Sequence, residues 1–193
     1  MGIPMNVPEL WILRHGQTEW NVSGRLQGLL DSPLTQTGQA QAAAQGRILA
    51  RAAPADAIAI SSPSPRAMLT ARLAMPGHQI SSDARLTEID LGQWQGCALT
   101  EIEQAHPEIA AETDPNLWKF NAPGGESLPA MEARVRSLLA DLTAPTILVT
   151  HGVTSRLMRC VILGLPATEL SDLPGGQGVV HHLQGGVARV LSG

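Results

Sequence analysis

The sequence contains only two cysteines, a single phenylalanine and no tyrosine among its 193 residues. Cys97 and Cys160 form no disulfide framework and read as core or half-buried thiols, so a reducing cytoplasm is the default compartment. With Trp11, Trp20, Trp94, Trp118 and Phe120 as its only large aromatics, the chain offers no stacking platform for nucleobases. It also lacks a basic surplus: the formal net charge is −4, which argues against nucleic acid as a partner. No apolar run approaches the roughly 20 residues that span a bilayer, which argues against a membrane partner. Met1 to Glu9 carries neither a basic n-region nor a long apolar h-region, which argues against secretion. Charged residues are only 16% and hydrophobic ones 44%, a balance that excludes a disordered chain. Lysine is nearly missing too. Lys119 stands alone against twelve arginines. Genomic composition bias accounts for that count, although arginine also suits bidentate phosphate binding.

What is present alternates strand and helix signals without an internal repeat. Leu10–Leu13 reads as a first strand, Thr35–Ala53 as a helix capped by Thr35 or Thr37, and Asp56–Ile60 as a second strand. Pro65–Ala74 reads as a helix with Ser64 at the cap and proline at its first position. Glu126–Leu142 is helical after a Gly124-Gly125 turn. Thr146–Thr150 is a third strand, and Val153–Leu163 is the helix after it. Gly178–Leu183 and Val187–Leu191 form a closing strand pair around Gln184-Gly185-Gly186. This rhythm predicts an α/β fold with a largely parallel sheet, arranged as one domain over residues 1–193. The stretch Leu91–Gly125 breaks the rhythm and reads as a lid-like insertion over one end of the sheet.

Ligands of open α/β sheets bind outside the carboxyl ends of the strands. Three such ends are chemically loaded: Arg14-His15-Gly16, Ser61-Ser62-Pro63-Ser64-Pro65-Arg66 and Thr150-His151-Gly152. If the strands are parallel neighbours, two histidines and two arginines converge. The second and third ends lead into helices, whose N-termini offer free N–H groups and a positive dipole end. Together these features describe a phosphate site.

The other candidates have blander readings. No two histidines have the i,i+4 spacing of a helical zinc pair, and neither cysteine sits in a CxxC pair, so no metal site is expected. His78 and His106 neighbour turn signals and read as exposed. His181 and His182 point to opposite faces of a strand, so at most one of them faces the pocket. Glu126 and Ser127 read as helix-start residues, and Trp94 as packing.

The run Leu13-Arg14-His15-Gly16-Gln17-Thr18-Glu19-Trp20-Asn21 resembles the signature of the histidine phosphatase superfamily, the phosphoglycerate mutase-like family. The resemblance continues in family order through Gly28, Asp31, Pro33-Leu34-Thr35, Ser61-Ser62-Pro63, Arg66-Ala67, Leu86-Thr87-Glu88-Ile89, Gly92-Gln93-Trp94-Gln95-Gly96, Pro123-Gly124-Gly125-Glu126-Ser127 and Val149-Thr150-His151-Gly152. It implies a three-layer α/β/α sandwich with a mostly parallel central sheet. It implies no metal and no cofactor. By position, His15 is the nucleophile that forms a phosphohistidine. Arg14, Arg66 and His151 bind the transferring phosphoryl group, with Asn21 and Gln27 close to it, and Glu88 is the general acid.

Phosphoryl transfer asks for positioning and charge neutralisation, which these residue types supply. His15 has to be neutral to attack, and Arg14 and Arg66 favour that form by repulsion. A protonated His151 would add a third cation. Glu88 has to hold a proton, which asks for a pKa raised above its ordinary value of about 4.3.

The resemblance implies a metal-independent phosphomonoester hydrolase acting on a small phosphorylated metabolite, as a monomer or homodimer. Sugar phosphates, ribazole phosphate-type precursors and phosphorylated small acids all fit. Two alternatives stand beside it, a cofactor-dependent phosphoglycerate mutase and a catalytically idle phosphate-binding protein. The insertion argues against the mutase. It holds Lys119 as its one basic residue against Glu101, Glu103, Glu108, Glu112 and Asp114. Arg25 or Arg85 could offset those acids from outside the insertion, or the acids could lie on its outer face. After His151 the chain departs from the usual pattern, reading Gly175-Gly176-Gln177-Gly178. There Gln177 stands in as a side-chain amide.

Overall fold

The structure is a computed structural model that describes residues 5–110 and 114–193. Glu112, one of the acids weighed above, and the first four residues lie outside the described residues. Six strands form one sheet: β1 (Leu10–Arg14), β2 (Ile58–Ser61), β3 (Ile80–Ser82), β4 (Thr146–Thr150), β5 (Val180–Gln184) and β6 (Val187–Leu191). Their spatial order is β3-β2-β4-β1-β5-β6. The first four in that order run parallel, and β5 and β6 are antiparallel additions at the β1 side. Strand β3 is absent from the sequence reading, because three residues at an edge carry no periodic pattern.

Strand alternation sorts the core into two layers. Leu10, Ile12 and Leu148 face α6 (Leu128–Asp141) and α7 (Gly152–Leu163). Trp11, Leu13, Ile147 and Val149 face α2 (Gln36–Ala52) and α3 (Pro65–Ala74), which follow the one-turn helix α1 (Glu19–Val22). A sheet covered on both faces needs near-continuous apolar strands, and LWIL and ILV supply them. The result is the three-layer α/β/α sandwich with a mostly parallel sheet.

Register places the chemistry. Arg14 pairs with Thr150, and Ser61 with Val149, so β1, β2 and β4 end level with one another. Thr35 caps α2 by accepting from the Gly38 N–H, as its sequence context predicts. The start of α2 lies so close to the chain leaving β1 that a Cβ on Gly38 would collide with the Gln17 carbonyl, and one on Gly16 with Gly38. Glycine at both positions lets the backbones touch and fixes where residues 15–17 run.

The segment 91–125 contains a 3-10 turn (Gly92–Trp94), the short helices α4 (Leu99–Ala105) and α5 (Pro107–Ala110), and a second 3-10 turn (Leu117–Asn121). Trp94, Ile102, Ile109 and Trp118 join the core on the α6/α7 side, so the segment is anchored by its own apolar residues. Trp94 is packing, as expected. His106 differs from expectation: it is half-buried with its ring 5.4 Å from that of Trp94, whereas His78 is exposed. Among the described residues, no helix is long and apolar enough to cross a membrane.

Candidate active site

The level strand ends open into a cavity of about 110 Å³ lined by Arg14, His15, Asn21, Arg25, Gln27, Arg66, Glu88 and Lys119. A larger cavity of about 490 Å³ lies between α2 and α3, but its walls are mostly alanine, leucine and proline and none of these groups reaches it. The smaller cavity is therefore the candidate site.

His15 is buried, with Nδ1 2.8 Å from its neighbour's carbonyl, Gly16 O. A carbonyl only accepts, so Nδ1 carries the proton and the Nε2 lone pair is left free. Burial holds the His15 imidazole well below the usual histidine range, with His151, Arg14 and Arg66 adding repulsion. The ring is neutral in the tautomer a nucleophile needs. His151 stands beside it, with ring centroids 5.2 Å apart, and its Nε2 shares a 2.8 Å hydrogen bond with Ser62 Oγ. Burial, with Arg66 and Arg14 nearby, keeps His151 neutral as well. It is therefore not the third cation that the sequence reading allowed.

The two arginines differ in freedom. Arg66 donates from Nη1 to Leu30 O and Asp31 Oδ1 and from Nη2 to Gly28 O, and its Nε has no partner among the described residues. The guanidinium of Arg14 makes no hydrogen bond among the described residues, and its Nε is fully enclosed. Gly152 makes room for it, since a Cβ there would press on the guanidinium carbon at 3.3 Å. Burial lowers Arg14 against the raising pull of Glu88, but an arginine remains charged. An unpaired, largely buried guanidinium lining a pocket is an anion receptor.

Glu88 is placed differently from expectation. Its carboxylate accepts from the N–H groups of Val153 and Thr154 at the start of α7 and from the Thr154 hydroxyl. Burial raises the carboxyl, but those amides and the charges of Arg14 and Lys119 outweigh it, and Glu88 lies below the ordinary carboxylate range. In the unliganded site it is ionised rather than poised as an acid. The same contacts correct a second expectation, because the N–H groups at the start of α7 go to Glu88. At the start of α3, the Arg66 N–H goes to Asp31 Oδ1. Protein carboxylates, not the pocket, take the helix N-termini, because both acids lie within reach of the orphan amides.

Asn21 and Gln27 line the pocket as expected. Gln27 Nε2 donates to Thr18 Oγ1, while its Oε1 is buried without a partner among the described residues. Asn21 Oδ1 receives the Thr18 N–H and Gln177 Nε2. Gln177 also donates to His15 O, so this amide does reach the site. His181 and His182 do not. His181 meets Arg159, and His182 stacks on Trp11 and bonds Glu9 on the other face of the sheet.

Two further cations line the pocket, Lys119 of the insertion and Arg25, one of the two arginines weighed against the insertion's acids. Lys119 Nζ donates to Asn116 Oδ1 at 2.7 Å and lies 5.6 Å from the Trp118 ring centroid. Burial pushes its ammonium down to about 8. Arg25 lies at the rim, its Nη1 bonded to Gly96 O. Arg85 is taken up by Asp83 and Asp141 and does not line the pocket. None of the described acids of segment 91–125 lines it either, so the acid count along the chain misjudged the pocket's sign. Among the described residues that line the pocket, four cations accompany one carboxylate, and one of them, Arg25, also lies 3.7 Å from Glu101.

A bracing contact explains how Glu88 is held. Arg134 grips Glu126 at 2.7 and 2.9 Å and donates to Arg85 O and Glu88 O, pinning the backbone on both sides of Thr87. Glu126 thus serves this clamp, and Ser127 caps α6, as helix-start residues.

The match to the model of the histidine phosphatase superfamily (branch 1) spans residues 10–187. The chain belongs to that superfamily. Its relatives include glucosyl-3-phosphoglycerate phosphatase of Mycolicibacterium vanbaalenii, 37% identical over 190 residues, covering 90% of this chain and 82% of that protein. A probable phosphoglycerate mutase of Salmonella paratyphi C is 36% identical over 166 residues, covering 82% and 76%. Among solved structures, mycobacterial glucosyl-3-phosphoglycerate phosphatase in complex with VO3 superimposes with a TM-score of 0.81 at 34% identity, covering 96% of this chain and 97% of that one.

Burial of neutral histidines has a consequence for stability. His15 and His151 are held well below the ordinary value, and burial beside Arg159 pushes His181 down to about 3. Unfolded, all three titrate near 6.5. A lowered folded pKa means that the unfolded state binds more protons, so the stability is fully present above about pH 6.5 and is lost below it. Each histidine costs up to about 1.4 kcal/mol per pH unit there, about 4 kcal/mol for the three. Urea unfolding at pH 7.5 and at pH 5.5 is expected to show a much lower midpoint at the acid pH. Equal midpoints would mean that these rings are protonated in the folded protein.

Proposed function

We propose that the chain is a phosphomonoesterase that works without a metal, through a phosphohistidine at His15, on a small metabolite carrying a carboxylate besides its phosphate. The observation that carries the reading is the facing pair of His15 and Arg14. One offers a free lone pair in a fixed tautomer, and the other an unpaired guanidinium. His15 Nε2 attacks phosphorus, Arg14 and Arg66 Nε hold the equatorial oxygens, and Asn21, Gln27 and His151 border them. Glu88 hands a proton to the leaving oxygen, and water then releases phosphate from the histidine. Segment 91–125 acts as a lid within a single domain, and the enzyme works in the cytoplasm as a monomer or homodimer.

The carboxylate follows from the charge of the pocket. Arg14 and Arg66 suffice for the phosphoryl group; Arg25 is 3.7 Å from Glu101, and Lys119 is left over. A carboxylate-bearing ester uses Lys119, and the names of the two relatives given above contain phosphoglycerate. Lys119→Met is expected to raise KM for 3-phosphoglycerate about tenfold while leaving an aryl phosphate within about twofold. Because Lys119 titrates at about 8, the preference for the carboxylate fades above that pH. An equal effect on both esters would remove Lys119 from substrate binding.

The test of the function is hydrolysis of p-nitrophenyl phosphate with EDTA present, alongside an assay for interconversion of phosphoglycerates. Turnover that EDTA leaves unchanged, without interconversion, is the expected result. Interconversion faster than hydrolysis would make the protein a mutase. Phosphate binding with neither activity would make it an idle binder. Full loss of activity with EDTA would overturn the metal-independent mechanism.

A further inference from the structure

A second guanidinium, with no carboxylate partner among the described residues, lies outside the active-site cavity. Arg159 of α7 is only 2% exposed. Its Nε donates to Ser155 O one turn back, and its Nη1 meets His181 Nδ1 at 3.3 Å. Nη2 has no hydrogen-bond partner, and no carboxylate pairs with Arg159, among the described residues. The neighbouring charge is Arg156, of the same sign, which is bound to Leu173 O and Gly152 O. His181 accepts at Nδ1 and is therefore neutral. A charge this deep with no counter-charge is costly unless something compensates it.

The guanidinium borders a cavity of about 410 Å³ between the end of α7, the loop at Leu173-Pro174 and the β5–β6 hairpin. Leu163, Leu173, Pro174 and Val190 supply its apolar wall, and His181 and Arg189 also line it; Arg189 pairs with His182, so its side chain points to the opposite face of the sheet, away from Arg159. Val190 pairs with His181, and Ala188 with Leu183, so both side chains lie on the α7 face of the sheet. None of these residues borders the active-site pocket.

We propose that this cavity binds a small monocarboxylate with an apolar body, its carboxylate on the open edge of Arg159 and its chain against Leu163, Leu173 and Val190. One free guanidinium edge matches one carboxylate. A phosphate dianion would leave a second charge uncompensated between apolar walls.

Hexanoate, hexanol and inorganic phosphate, titrated in turn into the full-length protein, test this, read from the nitrogen-15 resonances of the His181 imidazole. That signal is local, so anions entering the active site are not mistaken for this site, and a failed phosphatase assay leaves the result intact. Hexanoate is expected to saturate the His181 shift with Kd on the order of 1 mM, and hexanol to produce none. Arg159→Met and Ala188→Glu, which places a carboxylate in the same cavity, are each expected to weaken hexanoate by at least about tenfold with phosphatase activity unchanged. No saturation by hexanoate, or equal binding of hexanol, would overturn the proposal. So would saturation by phosphate instead of hexanoate, or unchanged affinity in folded Arg159→Met. If Arg159→Met fails to fold, Ala188→Glu alone decides, and unchanged affinity there overturns the proposal as well.

Discussion

His15→Ala is expected to reduce hydrolysis of any phosphate ester by at least about 10³-fold while the protein still binds phosphate. The two effects separate because two sets of atoms are involved. Bond formation needs the Nε2 lone pair, which the Nδ1 contact to Gly16 O leaves free. Anion binding needs Arg14, whose guanidinium makes no hydrogen bond among the described residues, and Arg66 Nε. Removing the imidazole deletes the first and leaves the second, so KM or a phosphate Kd changes far less than kcat. Activity within about tenfold of the original would mean that water attacks the ester directly and that His15 only shapes the pocket.

Glu88→Gln is expected to discriminate between leaving groups. An alkyl phosphate needs a proton on its departing oxygen and should slow by about 10²- to 10⁴-fold, while an aryl phosphate with a stable leaving group should stay within about tenfold. The structure adds a condition that the sequence does not suggest. Glu88 is ionised in the free site, held there by the Val153 and Thr154 amides together with Arg14 and Lys119. The proton then arrives on the substrate, whose phosphate has its second pKa near 6. Once the phosphate monoanion sits against Arg14, it offsets the charge that kept Glu88 ionised, and its proton passes to the carboxylate, leaving the bound ester as the dianion. For an alkyl phosphate, kcat/KM is therefore expected to fall about tenfold per pH unit above about pH 6. A profile flat to pH 8 would show that no such proton is required. Equal losses for alkyl and aryl esters in Glu88→Gln would remove its general-acid role.

The strands that carry the site were legible because the chain punctuates them. LWIL stops at Arg14 and ILVT at His151, and Pro65 opens α3, so the sequence itself marks the three loaded ends. Parallel pairing then brought Arg14, His15, Arg66 and His151 together as expected. The fate of the backbone amides at the helix starts was not legible. Whether those N–H groups face the pocket or an acid depends on where Asp31 and Glu88 fold back, 35 and 65 residues away along the chain. The sign of the pocket was misread for a related reason. A count of acids along segment 91–125 cannot tell the inner face from the outer, and only the folded segment turns Lys119 inward. His181 illustrates the same limit. Strand alternation gives its face, but its partner Arg159 comes from a helix one crossover away.

The central claim is a covalent phosphohistidine, and the stereochemical outcome at phosphorus tests it most directly. An isotopically chiral phosphate ester is hydrolysed in isotopically labelled water, and the configuration of the released phosphate is read. Two in-line displacements, first by His15 and then by water, invert the centre twice, so the account predicts net retention. Net inversion would show a single direct attack by water and would contradict it.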